Sequence, residues 1–74
     1  VGHKEKRRFQ AMLSTFILDT INGNPWDLND IQVLNGHLNY YRMVERKTID
    51  GVVAHIGSKY NVDIPKMIKE QLSV

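Results

Sequence analysis

Residues Ile31 to Tyr41 read Ile-Gln-Val-Leu-Asn-Gly-His-Leu-Asn-Tyr-Tyr, and the reading of this stretch decides the fold. At about 100° per residue, Ile31, Leu34, Leu38 and Tyr41 fall within about 80° of one another, so the stretch is an amphipathic helix whose apolar stripe requires a core. Almost opposite lie Gln32, Gly36 and Tyr40, flanked by Asn39 and Met43. A glycine inside a solvent-facing helix costs about 1 kcal/mol relative to alanine. Three readings account for it: neutral drift, close packing against another helix, or contact of a ligand with the helix backbone at Gly36, between the amide of Gln32 and the ring of Tyr40.

Asp27 is a good N-cap for this helix, with Asp30 in the first turn, and the helix is expected to run to Glu45 or Arg46. On a side spaced i, i+3, i+7, i+10 and i+14, outside the stripe, it carries Gln32, Asn35, Asn39, Arg42 and Arg46 and no acidic residue. Amides and arginines without carboxylates suit phosphates and base edges, whereas a merely soluble surface mixes signs. Thr48 is then expected to cap a third helix, with Asp50 in its first turn and Ile49, Val52, Val53, Ile56 and Tyr60 as its apolar stripe. Asn61 ends that helix. Asp63 caps a short last one, with Pro65 in its first turn and Ile64, Met67, Ile68 and Leu72 turned inward.

Before the central stretch, His3 to Ile21 form a first helix, because Phe9, Met12, Leu13, Phe16 and Ile17 recur at i, i+3, i+4, i+7 and i+8. Its other face holds Lys4, Arg7 and Arg8 followed by Ala11, Ser14 and Thr15: either a solvated basic face or a surface over which a phosphate backbone can lie. Cations at a helix N-terminus oppose the macrodipole, a small local cost that favours a functional reason for them. Leu18 also lies on this polar side, and the pattern gives it no role. Asn22-Gly23-Asn24-Pro25 ends the helix through a left-handed cap and a proline. Trp26 is expected to fold back over the end of the core, with base stacking as the alternative. The expected fold is all-α: one domain over residues 1–74, a small bundle of three main helices plus a short C-terminal helix.

Composition sets the bounds. Seventy-four residues without cysteine exclude a disulfide framework or a cysteine-based zinc site, and 42% hydrophobic with 24% charged residues is an ordinary globular balance. A net charge of +2 is too weak by itself to imply nucleic acid. No apolar run approaches the 18 or so residues of a membrane span, so no membrane partner is expected and a cytoplasmic setting is. The opening on Val1-Gly2-His3, with no initiator methionine, suggests a domain excised from a longer protein. His3, His37 and His55 share no ligand spacing, Asp27, Asp30, Asp50 and Asp63 serve helix starts, and no phosphate-cradling loop or activated nucleophile is visible. The segment alone is expected to be non-catalytic and to hold no cofactor.

Ile31-Gln32, Leu34, Gly36 and Leu38-Asn39-Tyr40, the pattern I-Q-x-L-x-G-x-L-N-aromatic, resemble the thumb-subdomain helix of reverse transcriptases, whose retroviral form carries tryptophan at the last position. Lys4 to Leu13, K-E-K-R-R-F-Q-A-M-L, resembles the basic segment that opens the thumb in bacterial retron and group II intron type enzymes. The order and spacing of the two pieces agree with that family over roughly the first two thirds of the chain, and no motif after about Arg46 shares the resemblance. It implies a helical grip for an RNA–DNA or DNA duplex, packed beside the palm domain of a larger RNA-directed DNA polymerase whose divalent metal sits in that palm. Carried over by position, Gln32, Gly36 and Tyr40 form the track along the minor groove; Asn39 and Met43 flank it on the wheel, and Lys4, Arg7, Arg8, Arg42 and Arg46 are the cations expected to help hold the duplex backbone. The isolated domain is expected to be a monomer. Two other readings stand beside this one: a protein-interaction domain using Leu18, Tyr40 and Met43 as an apolar patch, and an independent helix-turn-helix domain turning near Arg46 to Ile49.

Overall fold

A computed structural model describes residues 2–73 and shows a small all-α bundle. Helix α1 spans His3–Ile21, α2 spans Leu28–Tyr60 and α3 spans Ile64–Leu72. The expected second and third helices are the two arms of α2, residues 28–44 and 46–60, joined at Glu45, the one residue inside with non-helical backbone (φ −139°, ψ 63°). A straight helix of 33 residues would be about 50 Å long, whereas the longest extent of the molecule is 31 Å. The bend lets both arms turn their apolar stripes to one core.

That bend corrects the sequence reading at one point. Thr48 caps nothing: it lies inside the helix, exposed, three residues beyond the break. Helical backbone resumes directly after Glu45, so no four-residue turn separates the two arms. The side chain of Asp50, expected to face the start of a helix, instead accepts from Arg42 Nε at 2.8 Å across the bend.

The core combines Phe9, Leu13, Phe16 and Ile17 of α1 with Ile31, Leu34 and Leu38 of the first arm of α2, Ile49, Val53 and Ile56 of the second, and Ile64 and Ile68 of α3. Each stripe read from periodicity is present, with Met12, Tyr41, Val52, Tyr60, Met67 and Leu72 half-buried at its margins. Trp26 closes one end of the core, its ring edge-on to Phe16 at 5.2 Å and its Nε1 donating to Asp19 Oδ2 at 2.7 Å. Gln71 Nε2 donates to Thr20 Oγ1 at 3.2 Å and ties α3 to α1. At the other end Phe9 meets Tyr41 edge-on at 5.2 Å, and Lys6 pairs with Glu45 at 3.3 Å. The start of α1 therefore lies beside the bend, antiparallel to the first arm.

The helix ends follow their sequence signals. Asp27 accepts from Asp30 N–H at 2.9 Å and Asp63 from Lys66 N–H at 3.2 Å. Gly23 takes the left-handed conformation (φ 80°) after α1, where Asn24 N–H reaches Asp19 O and Gly23 N–H reaches Thr20 O, the paired bonds of a Schellman ending. Asn61 (φ 56°) does the same for α2, with Val62 N–H donating to Gly57 O at 2.8 Å. This second ending folds the chain so closely over the helix that a Cβ at Gly57 would stand 2.7 Å from Val62 O. Gly57 is therefore the glycine that packing requires, whereas a Cβ at Gly51 would meet nothing within 4 Å. Gly57→Ala should lower unfolding free energy by about 1–3 kcal/mol through forced backbone displacement. Gly51→Ala should raise it by about 0.5–1 kcal/mol. Urea denaturation of the two variants checks both signs.

Candidate nucleic-acid interface

The first arm of α2 is fixed by Ile31, Leu34 and Leu38, and its outer surface is the candidate interface. Gln32, Gly36, Asn39, Tyr40 and Met43 are all exposed there, Tyr40 to 60% and Met43 to 86%. A Cβ at Gly36 would meet nothing within 4 Å beyond its own helix, so close packing is removed as the cause of this glycine. Gly51 is equally open, so an open helical glycine is not in itself a contact site; the surroundings of Gly36 separate the two. Val33 and Val44 are also exposed on this arm, about half each. Between Gln32 and Met43 the outer surface is thus a ridge of amides, rings, thioether and aliphatic groups without a carboxylate, Asp30 being exposed at the start of the arm.

A depression lies on each side of the ridge. One, of about 600 Å³, is lined by Glu5, Arg8, Phe9, Met12, His37, Tyr40 and Tyr41. The other, of about 280 Å³, is lined by Asn39, Arg42, Met43 and Arg46. Arg8 therefore reaches one flank of the ridge from α1, and Arg42 and Arg46 reach the other from α2 itself. Lys4 and Arg7 are exposed on the side of α1 turned from the core, and neither lines either depression.

The structure alters the electrostatics read from the sequence. The acid-free face of the first arm acquires a carboxylate from the second, since Asp50 Oδ1 accepts from Arg42 Nε at 2.8 Å and Oδ2 stands 3.7 Å from Arg46 Nε. For Arg42 this partner arrives by folding across the bend, eight residues away, whereas Arg46 and Asp50 are an i,i+4 pair on the second arm. Arg46 remains largely exposed, and Arg42 keeps over a third of its side chain accessible. The proposed interaction patch of Leu18, Tyr40 and Met43 is not contiguous. With Phe9 beside Tyr41 in an antiparallel pair, Leu18 sits about 12 Å along the axis from the level of Tyr40.

Among the described residues no group of three or more His, Asp or Glu is placed to hold a metal, and no helix is long and apolar enough to cross a membrane. Compared with protein families, with curated proteins and with solved structures, the chain matches none.

Releasing the two arginines from Asp50 should strengthen contact with a polyanion. Asp50→Asn is expected to steepen the salt dependence of duplex binding by about one unit of slope per arginine released. Its stability cost should stay within about 1 kcal/mol, because both pairs are at the surface. Fluorescence anisotropy across a salt series, beside a thermal melt, measures both effects.

Proposed function

We propose that this chain is the non-catalytic thumb of an RNA-directed DNA polymerase and grips the primer–template duplex. The observation that carries the reading is the ridge: a neutral, glycine-notched helix surface with arginines in the depressions on both sides. The minor groove of an RNA–DNA duplex is broad and shallow, and its floor and walls present sugars and base edges between two anionic rails. A ridge lacking carboxylates fits its interior; Arg42 and Arg46 on one flank suit one rail, and on the other flank Arg8 shares its depression with Glu5. Gly36 lets a sugar edge approach the helix axis, Gln32 and Asn39 offer amides as donors and acceptors, and Tyr40 supplies a flat face with a hydroxyl. Such contacts read shape and backbone rather than sequence, which suits a polymerase that must advance along its product.

On this reading the reaction belongs to the parent enzyme's palm and its divalent metal, the chain acts as a monomeric module against that palm, and its setting is the cytoplasm. No reaction step is assigned to the chain itself. The helix-turn-helix alternative lacks the turn it needs, because the second arm of α2 continues directly from the bend.

Binding of an RNA–DNA hybrid should be weak and steeply salt-dependent. With about four phosphates neutralised, affinity should fall about a hundredfold between 50 and 200 mM salt. Gly36→Leu should retain the fold and weaken binding at least fivefold, while Gly51→Leu, at an equally open helical site, leaves it unchanged. Equal affinity for the two variants, or binding indifferent to salt, contradicts the reading.

A further inference from the structure

We propose that the larger depression, between α1 and the first arm of α2, is a binding site for a single unpaired nucleobase, with guanine preferred. The floor of this depression is apolar and aromatic: Phe9 is buried beneath it, and Tyr41 lies edge-on to Phe9 at 5.2 Å. His37 and Tyr41 stand nearly parallel, their planes 16° apart and centroids 6.0 Å apart, and Tyr40 meets Tyr41 at 62° and 5.6 Å. Three rings from consecutive turns thus form a corner in which a flat heterocycle can stack on one ring while its edge meets another. Helix α1 forms the opposite wall with Glu5, Arg8 and Met12. Glu5 and Arg8, one turn apart, make no ion pair or side-chain hydrogen bond among the described residues.

This chemistry selects the ligand. A phosphate would gain Arg8 but be repelled by Glu5, and an aliphatic chain would leave both charges without use. A nucleobase is neutral and planar, and stacking on aromatic side chains is its general mode of capture outside a duplex. Guanine alone presents two adjacent donors, N1–H and the N2 amino group, for a carboxylate, and two acceptors, O6 and N7, for a guanidinium. A volume of about 600 Å³ accommodates one nucleoside. Tyr40 belongs both to this depression and to the ridge, so a nucleotide leaving the end of a gripped duplex is within reach of the site. The proposal rests on the duplex reading only for the nucleotide's position; the chemistry of the groove stands apart from it.

The test compares a blunt RNA–DNA hybrid with the same hybrid carrying one unpaired 3′ nucleotide, each of the four bases in turn, and titrates guanosine and inorganic phosphate alone while following the ring resonances of Tyr41 and His37. The guanine overhang should bind about tenfold tighter than the blunt hybrid. Guanosine alone should shift both rings, and phosphate should not. His37→Ala should remove the overhang's advantage while keeping blunt-duplex affinity, and Glu5→Gln should abolish the order among the bases. Equal affinity for blunt and overhanging hybrids, with unmoved rings, overturns the proposal and leaves the duplex grip intact. Ring shifts with phosphate equal to those with guanosine also overturn it, making the groove an anion site. Tight binding of guanosine without binding of blunt duplex upholds the base site and removes the grip.

Discussion

The bend at Glu45 is the constraint on which the rest of the structure depends. A straight helix of 33 residues would be about 50 Å long and would carry the stripe of its far half away from α1, whereas α2 runs from Leu28 to Tyr60 with one residue, Glu45, off helical backbone. One residue leaving helical backbone forfeits one or two helical hydrogen bonds, each worth about 1 kcal/mol net. The second arm brings Ile49, Val53 and Ile56 into the core, and each such burial contributes about 1.5–3 kcal/mol. Burial wins by a clear margin. The ion pairs around the bend, Lys6 with Glu45 and Arg42 with Asp50, contribute at most about 1 kcal/mol each at their exposure.

From this bend follows the placement of the proposed binding surface. The core occupies the inside of the angle, so the outside of the first arm has no partner, and the ridge of Gln32, Gly36, Tyr40 and Met43 stands clear. The antiparallel start of α1, brought beside the bend by Phe9 and Lys6, adds Arg8 on one flank. Asp50, carried in by the second arm, restrains Arg42 and Arg46 on the other. The same fold that exposes a neutral ridge thus tunes the charge beside it.

Much of this was legible in the sequence. Each apolar stripe, the Asp27 and Asp63 caps, the left-handed endings and the plug formed by Trp26 follow from local pattern, because helix periodicity and capping act over one or two turns. Thr48 was misread because a good capping residue looks the same whether or not the chain stops pairing there; only the competition between continuing the helix and folding the core decides. Gly57 escaped notice for a related reason. Its need arises from Val62 closing back over the helix, whereas the pattern singled out Gly36, whose surroundings in the fold are open. The charge of the ridge's flanks was legible residue by residue, but the pairing of Arg42 with Asp50 is a property of the bend.

The central claim is that the outer ridge of the first arm meets the duplex. It is tested most directly by mapping backbone amide shifts of the isotopically labelled chain as an RNA–DNA hybrid is added at low salt. The largest changes should fall on Gln32, Gly36, Asn39, Tyr40 and Met43, with Arg8 and Arg46 at the margins. Changes confined to Lys4 and Arg7 on the far side of α1, with the ridge unmoved, would contradict it.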